Sequence, residues 1–386
     1  MTYWKSDKVF STNQKLRLSD FEKLEIQRNL PQAEDGNYYA DAVFEGGGVK
    51  GMAFLGALRC FNDAGVRFRK VAGTSAGAIT ASLVAAGFSM QELEEIIGDL
   101  DFKTFLSQKK HFLILNGSPD NDLQGLHGLW MIANLALTGQ KGQYSAVPFK
   151  EWLEGNLKQR QIETFQSFVL KEEEKLPWYK KRELKVVVSD ISKQKMTLLP
   201  QDLPQYSQSP ESFSVAEAVR LSMSIPFFFE PGVLGGSTIV DGGILSNFPL
   251  WVFDAESNTM PKCPTFGFQL TDEKPKPIKG VTDILMGMLS TMQVARDRQH
   301  METHNQGRVF EIGTAGVSTT QFNLTKDNKD ALYQEGYQAA KNFLLNRWSW
   351  KEHLKARGFS ENEIKKEIEK SKKGIEKSER ELPFAA

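Results

Sequence analysis

The chain has 386 residues, 40% of them apolar, with 48 Lys and Arg set against 48 Asp and Glu. That length and apolar content allow a large core, and α/β enzymes of this size often fold as one unit, while the balanced charge gives no global field toward nucleic acid or an anionic bilayer. The two cysteines, Cys60 and Cys263, exclude a disulfide framework and fit a reducing compartment.

Residues 1–38 are polar, carry mixed charge and read as an N-terminal extension. They begin Met1-Thr2-Tyr3-Trp4-Lys5-Ser6-Asp7. No apolar signal-peptide core is present there, so a cytoplasmic protein is expected. A short apolar strand, Ala42-Val43-Phe44, leads into Glu45-Gly46-Gly47-Gly48-Val49-Lys50-Gly51. A helix is predicted from about Met52 to Asn62, ending near Gly65. Three consecutive glycines let a backbone approach a ligand closely and turn several N–H groups to one point. Such donors suit the oxyanion of a tetrahedral intermediate. The run lacks the Gly-Lys-Ser/Thr of a phosphate loop and the G-x-G-x-x-G of a dinucleotide site. Taken alone it also reads as a flexible turn.

A second strand, Arg67 to Ala72, enters Gly73-Thr74-Ser75-Ala76-Gly77, and a helix of small residues follows from Ala78 to Ala86. A G-x-S-x-G between strand and helix is the setting of a nucleophile elbow. The turn strains the backbone at Ser75, projects its hydroxyl, and aims the N–H groups of the following helix at the reaction centre. The alternative is a Gly/Ser-rich turn on a packed helix. The uncharged stretch from Val71 to Met90 approaches the length of a membrane span. Its Gly, Ala, Ser and Thr content reads instead as a buried helix behind the elbow. The β-α-β-α order of residues 40–100 favours a parallel sheet covered by helices.

Ser89 and Glu92 form a capping box that opens the next helix. Between 103 and 150 the pattern changes to a helical insertion or lid, with Leu126, Leu129, Trp130, Ala133 and Leu137 at helical spacing. Leu184 to Asp190 reads as a strand, and Ser214 with Glu217 repeats the capping pattern. Two aromatic groups could line an acyl channel: Phe102, Phe105, Phe112 and Trp130, and Phe227-Phe228-Phe229. Such groups also form ordinary cores. Ile284, Leu285, Met288, Leu289 and Met292 mark one face of a helix over 281–294. The alternating charges from Glu361 to Glu381 read as an exposed helix.

A serine nucleophile needs a base. None of His111, His127, His300, His304 and His353 lies in a recognisable catalytic loop, and no H-E-x-x-H surrounds His300 and His304. Asp241, in Thr238-Ile239-Val240-Asp241-Gly242-Gly243, is the stronger candidate. A carboxylate at a strand end can serve as general base to a serine. An Asx turn is the alternative there.

Taken together, the glycine run Gly46 to Gly51, the elbow Gly73 to Gly77 and the triplet Asp241-Gly242-Gly243 resemble a patatin-like phospholipase. Val215 to Ser222 followed by Ile225-Pro226 adds a looser match. That family is itself similar to the catalytic domain of cytosolic phospholipase A2. The matches span about residues 40–250. The resemblance implies a three-layer α/β/α fold with a mostly parallel central sheet, a helical insertion and C-terminal helices. The catalytic domain would cover 39–310 and a C-terminal helical region 311–386. It implies a Ser75–Asp241 dyad that cleaves phospholipid or other acyl esters through an acyl-enzyme. The oxyanion hole would come from Gly46, Gly47, Gly48 and Ala76. Substrate contacts would come from Lys50, which stands where Arg is commoner and could equally brace the loop, and from Trp130, Phe227 and Phe228. No metal or cofactor is implied. The implied partners are the acyl-ester substrate, a membrane surface touched transiently, a small-molecule activator and a second copy of the chain, but no nucleic acid polymer. A thioesterase or small-ester esterase, and a signal- or nucleotide-gated effector of bacterial defence, are the alternatives.

Overall fold

The computed structural model describes residues 4–105, 107–108, 139, 141–254, 259–271, 284, 287–288, 291, 307–319 and 321–369. Helices α1 (Asp7–Thr12) and α2 (Asp20–Asn29) precede β1 (Tyr38–Phe44), α3 (Met52–Asp63), β2 (Val66–Thr74), α4 (Ala76–Ala85) and α5 (Met90–Gly98). Next come β3 (Ser107–Gln108), β4 (Gly142–Ser145), α6 (Val147–Lys158), β5 (Glu183–Asp190), β6 (Lys195–Leu199) and α7 (Val215–Ser222). The order ends with β7 (Phe227–Phe229), β8 (Gly232–Leu234), β9 (Ser237–Asp241), β10 (Thr265–Thr271), β11 (Val309–Gly313), α8 (Lys326–Asn346) and α9 (Trp350–Ala356).

Among the described residues, eight strands form a central sheet flanked by helices. Its hydrogen-bonded order is β11-β10-β1-β2-β5-β9-β8, with β6 also on β5. The pairings from β11 to β5 are parallel, and those of β6, β9 and β8 are antiparallel. Strands buried on both faces read as continuous apolar runs, and Val186-Val187-Val188 in β5 is fully buried. Alternate residues of β1 serve two cores. Ala42 and Phe44 join Phe54 and Phe61 of α3 on one face. Val43 joins Ala72, Val187, Phe248 and Leu250 on the other.

The sequence pattern assigns no element to β10 or β11, and β10 lies directly beside β1. α8 crosses α3 so closely that a Cβ on Gly56 would meet the Tyr333 carbonyl oxygen at 1.9 Å, and one on Gly336 would meet that of Ala53 at 1.8 Å. The N-terminal segment packs on the same helix. Phe10 meets Tyr337 edge-on at 5.2 Å, and the Leu18 N–H donates to the Tyr337 hydroxyl. The capping box at Ser89 and Glu92 is formed. Ser214 caps α7, but Glu217 turns to Arg220 instead of closing the box. Residues 361–369 are helical, and Ile364 is buried, so this part of the charged tail is docked and not simply exposed. The helix expected over 281–294 lies largely outside the described residues. Among them, no helix is long and apolar enough to cross a membrane.

β5 acts as a ruler for its neighbours. β6 pairs with β5 from Val186 to Asp190. β2 pairs with β5 up to Thr74 opposite Val187, and β9 pairs with it from Asp241 opposite Val188. A strand has two edges, so β2 and β9 must share the edge that β6 leaves open. Their C-terminal ends therefore meet head to head on consecutive residues of β5.

Candidate active site

Ser75 leaves β2 at that meeting point and starts α4. Its backbone stands at φ 53° and ψ −123°, in a region an L-residue occupies only under constraint. The constraint is steric. A Cβ on Gly73 would lie 2.3 Å from the Gly77 carbonyl carbon, and one on Gly77 would lie 2.3 Å from the Phe44 carbonyl oxygen. The elbow is thus pressed between its own helix and the end of β1. Ser75 donates its N–H to the Ser222 hydroxyl at 2.9 Å, and that hydroxyl donates to the Val187 carbonyl at 2.6 Å. The stretch from Val71 to Met90, which approached a membrane span in length, is the end of β2 plus α4, mostly buried behind the serine.

Asp241 is 5% exposed. Its N–H donates to the Ser224 carbonyl at 2.9 Å, and its Oδ1 accepts the Gly243 N–H at 2.7 Å. Burial pushes its carboxyl up to about 6, against the stabilising pull of the Ser75 hydroxyl and the Gly243 N–H. Oδ2 has no partner of normal hydrogen-bond geometry. The serine hydroxyl is therefore near enough to act on the carboxyl without being locked to it, as is common before substrate arrives.

The glycine run lies against both. Glu45 braces it, accepting the Leu270 N–H at 2.6 Å and an Asn247 side-chain N–H at 3.1 Å. Asn247 also donates to the Gly46 carbonyl at 3.1 Å. Gly46 is corrected as an oxyanion donor, because its N–H is committed to the Asn247 carbonyl. Its smallness matters instead: a Cβ there would lie 2.2 Å from Asn247 Oδ1 and 3.3 Å from the Ser75 Cβ. Among the described residues, no acceptor takes the N–H groups of Gly47, Gly48 or Ala76. Gly48 takes φ +58°, with the Thr319 carbonyl 2.2 Å from where a Cβ would stand.

Lys50 is 5% exposed and not free, which favours bracing over a headgroup contact. Phe227 is 43% exposed at φ 68°, two residues beyond Ile225 and close in chain to Ser224. Phe228 stacks on Phe322 at 5.1 Å and leans on Tyr144 at 4.9 Å. Phe102 and Phe105 are core residues, Phe105 meeting Phe149 edge-on at 5.2 Å. Trp130, Phe112 and the four histidines other than His353 lie outside the described residues. His353 is buried against Trp350, among aromatic rings. Sequence reasoning assigned no role to Ser222 or Asn247. Among the described residues no group of His, Cys, Asp and Glu could hold a metal ion.

The family model "Patatin-like phospholipase" matches residues 42–254. An uncharacterized protein of Bacillus subtilis (strain 168), YqhO, is 34% identical over 320 residues, 81% of this chain and 100% of its own length. A probable lipid hydrolase of Invertebrate iridescent virus 6, 463L, is 24% identical over 216 residues, 55% of this chain and 62% of its own. Among solved structures, VipD from Legionella pneumophila superposes with a TM-score of 0.49 at 19% identity, covering 82% of this chain and 69% of that one.

Proposed function

This chain belongs to the patatin-like phospholipase family, whose members are lipid ester hydrolases, and on that premise we propose that it cleaves acyl esters through a Ser75–Asp241 dyad. The observation that carries the reading is the register on β5, where Val187 holds the residue before Ser75 and Val188 holds Asp241. In the first half-reaction Ser75 Oγ attacks the ester carbonyl carbon while the Asp241 carboxylate takes the hydroxyl proton. The N–H groups of Gly47, Gly48 and Ala76 stabilise the oxyanion, aided by the N-terminus of α4. Collapse expels the alcohol, which recovers the proton from Asp241. Water then attacks the acyl-enzyme with Asp241 again as base; as the acyl C–Oγ bond breaks, Asp241 passes that proton to Ser75 Oγ, and the fatty acid leaves.

A carboxyl held near 6 supports this role, because it is ionised at neutral pH yet basic enough to accept a proton. The exposed Phe227 lies beside the site in chain order and offers an apolar surface to the acyl group. The enzyme would meet its lipid at a membrane surface touched transiently. The test is a panel of diacyl phospholipid, lysophospholipid, acyl thioester and short-chain ester, with released fatty acid measured by mass spectrometry. Release from a phospholipid that vanishes in Ser75→Ala is expected. Hydrolysis of the thioester or short ester alone would overturn the lipid assignment.

A further inference from the structure

Five buried side-chain atoms among the described residues have no hydrogen-bond partner. Buried polar atoms are nearly always satisfied, so each such group asks for a missing ion, water or ligand. One of the five, Asp241 Oδ2, belongs to the dyad. The other four are Asp41 Oδ1, Trp348 Nε1 and both ring nitrogens of His353. Trp348 and His353 pack around the Phe266 ring, at 5.0 Å and 6.5 Å, on the α3 face of the sheet. Asp41 pairs in register with Thr265, one residue before Phe266, and so stands on the other face. It lies toward the N-terminal end of the parallel strands, opposite the end that carries Ser75.

Asp41 lines a cavity there of about 460 Å³, within the range of small-molecule sites. Cations outnumber carboxylates around it. Glu183 is shared by Lys70 at 2.9 Å and Lys185 at 3.3 Å. Asp254 is shared by Arg308, at 2.6 Å, and Arg357, at 3.4 Å. Arg69 pairs with Asp41 at 3.2 Å and lies over the Trp178 ring at 5.1 Å. Lys262 borders the cavity and is exposed. Among the described residues that line the cavity, five cations, Arg69, Lys70, Lys185, Lys262 and Arg357, meet three carboxylates. Burial and the nearby arginines Arg308 and Arg357 keep His353 neutral, so it adds no further charge. Such an excess of positive charge lining a cleft favours a bound anion.

We propose that this cavity binds a small phosphorylated ligand with a free hydroxyl, of the glycerol phosphate or sugar phosphate class. The phosphate oxygens accept from Arg69, Arg357 and Lys262, guanidinium groups being well shaped for that recognition. The ligand hydroxyl donates to the open Asp41 oxygen. The cavity lies at the opposite end of the sheet from the dyad, so it is not a leaving-group pocket, and it stands whether or not Ser75 is the nucleophile.

Calorimetric titration of the full chain tests it, with glycerol phosphate, inorganic phosphate and glycerol as probes. Saturable binding of one glycerol phosphate per chain is expected, tighter than inorganic phosphate, with no response to glycerol. Arg357→Gln should weaken it by about tenfold or more, as loss of a charge-assisted contact does. Lys262→Ala, an exposed change that spares the fold, should weaken it by a smaller factor. Ser75→Ala should leave it unchanged. Absence of saturable binding, affinity indifferent to both cation variants in proteins with native melting curves, or loss of binding in Ser75→Ala would overturn the proposal. Binding only to vesicles containing phosphatidic acid would assign the phosphate to a membrane headgroup and overturn it as well.

Discussion

The Ser75 backbone N–H is held at 2.9 Å by the hydroxyl of Ser222, a residue 147 positions further along the chain. Because that hydroxyl also donates to Val187, one small side chain ties the elbow, α7 and β5 together. It fixes the strained backbone at Ser75, the proposed nucleophile, and it takes the Ser75 N–H out of the set available to an oxyanion.

Removing the hydroxyl should therefore impair chemistry and stability together. Ser222→Ala leaves a buried N–H and a buried carbonyl unsatisfied, at a cost of about 1–3 kcal/mol. We expect kcat to fall by about tenfold with KM little changed, since a misaimed nucleophile loses transition-state stabilisation and not ground-state binding. Steady-state kinetics beside a melting curve separates the two effects. Lower stability with normal kcat would show that Ser222 only supports the fold.

Ser75→Ala and Asp241→Asn should each lower turnover by roughly a thousandfold or more, as loss of a member of a catalytic unit does. The double variant should be little worse than either single one. Near-normal turnover in a folded Asp241→Asn protein would remove Asp241 as the base.

The Asp241 carboxyl gives a prediction with a definite sign. Its value in the folded protein, about 6, lies above the ordinary 3.8. Activity should rise with pH through that region as the carboxylate forms. For stability the direction is opposite. The folded state holds this proton more firmly than the unfolded chain, so the stabilisation is complete below about pH 3.8 and lost as pH rises through 6. Asp241→Asn should melt higher than the parent at neutral pH, and the gap should close in acid. Melting curves across pH check it, and a gap that widens in acid would contradict the burial of an ionised carboxylate.

The two central glycines of the loop should respond differently to alanine. At Gly47 a Cβ would meet the tip of the Leu270 side chain, which can swing away. At Gly48 it would meet the Thr319 backbone carbonyl, at a φ of +58° that alanine tolerates poorly. Both variants keep the N–H itself. Gly47→Ala should therefore retain most of its activity, while Gly48→Ala should lose roughly a hundredfold, the scale of a displaced oxyanion donor. Equal losses in purified, folded variants would mean that the loop does not read position this finely.

The catalytic candidates were legible because their signals are local. Glycines around Ser75 and after Asp241 announce tight turns within a few residues of each. What the sequence hid is what arrives from far away. Ser222 and Asn247 are a plain serine and a plain asparagine until β5 and the glycine run come to rest beside them. β10 is hard to read because Thr265-Phe266-Gly267-Phe268 has a glycine where the Phe248 ring needs room, which breaks the apolar run. α8 mixes charged residues with the buried Tyr333 and Tyr337, so its apolar stripe is thin in composition though not in contacts. Gly46 is misleading as a donor for a similar reason, its acceptor lying 201 residues away.

The meeting of β2 and β9 on β5 also bears on how the enzyme comes alive. Thr74 must find Val187, and Asp241 must find Val188, before the proposed nucleophile and base face each other. Both are non-local pairings, and closing such long loops is the slow part of folding. A refolding chain should gain helical signal well before it gains turnover, and the return of activity should keep pace with burial of the β5 valines. On the proposed mechanism, a nascent chain that has not yet docked residue 241 carries Ser75 without its base and should be inactive.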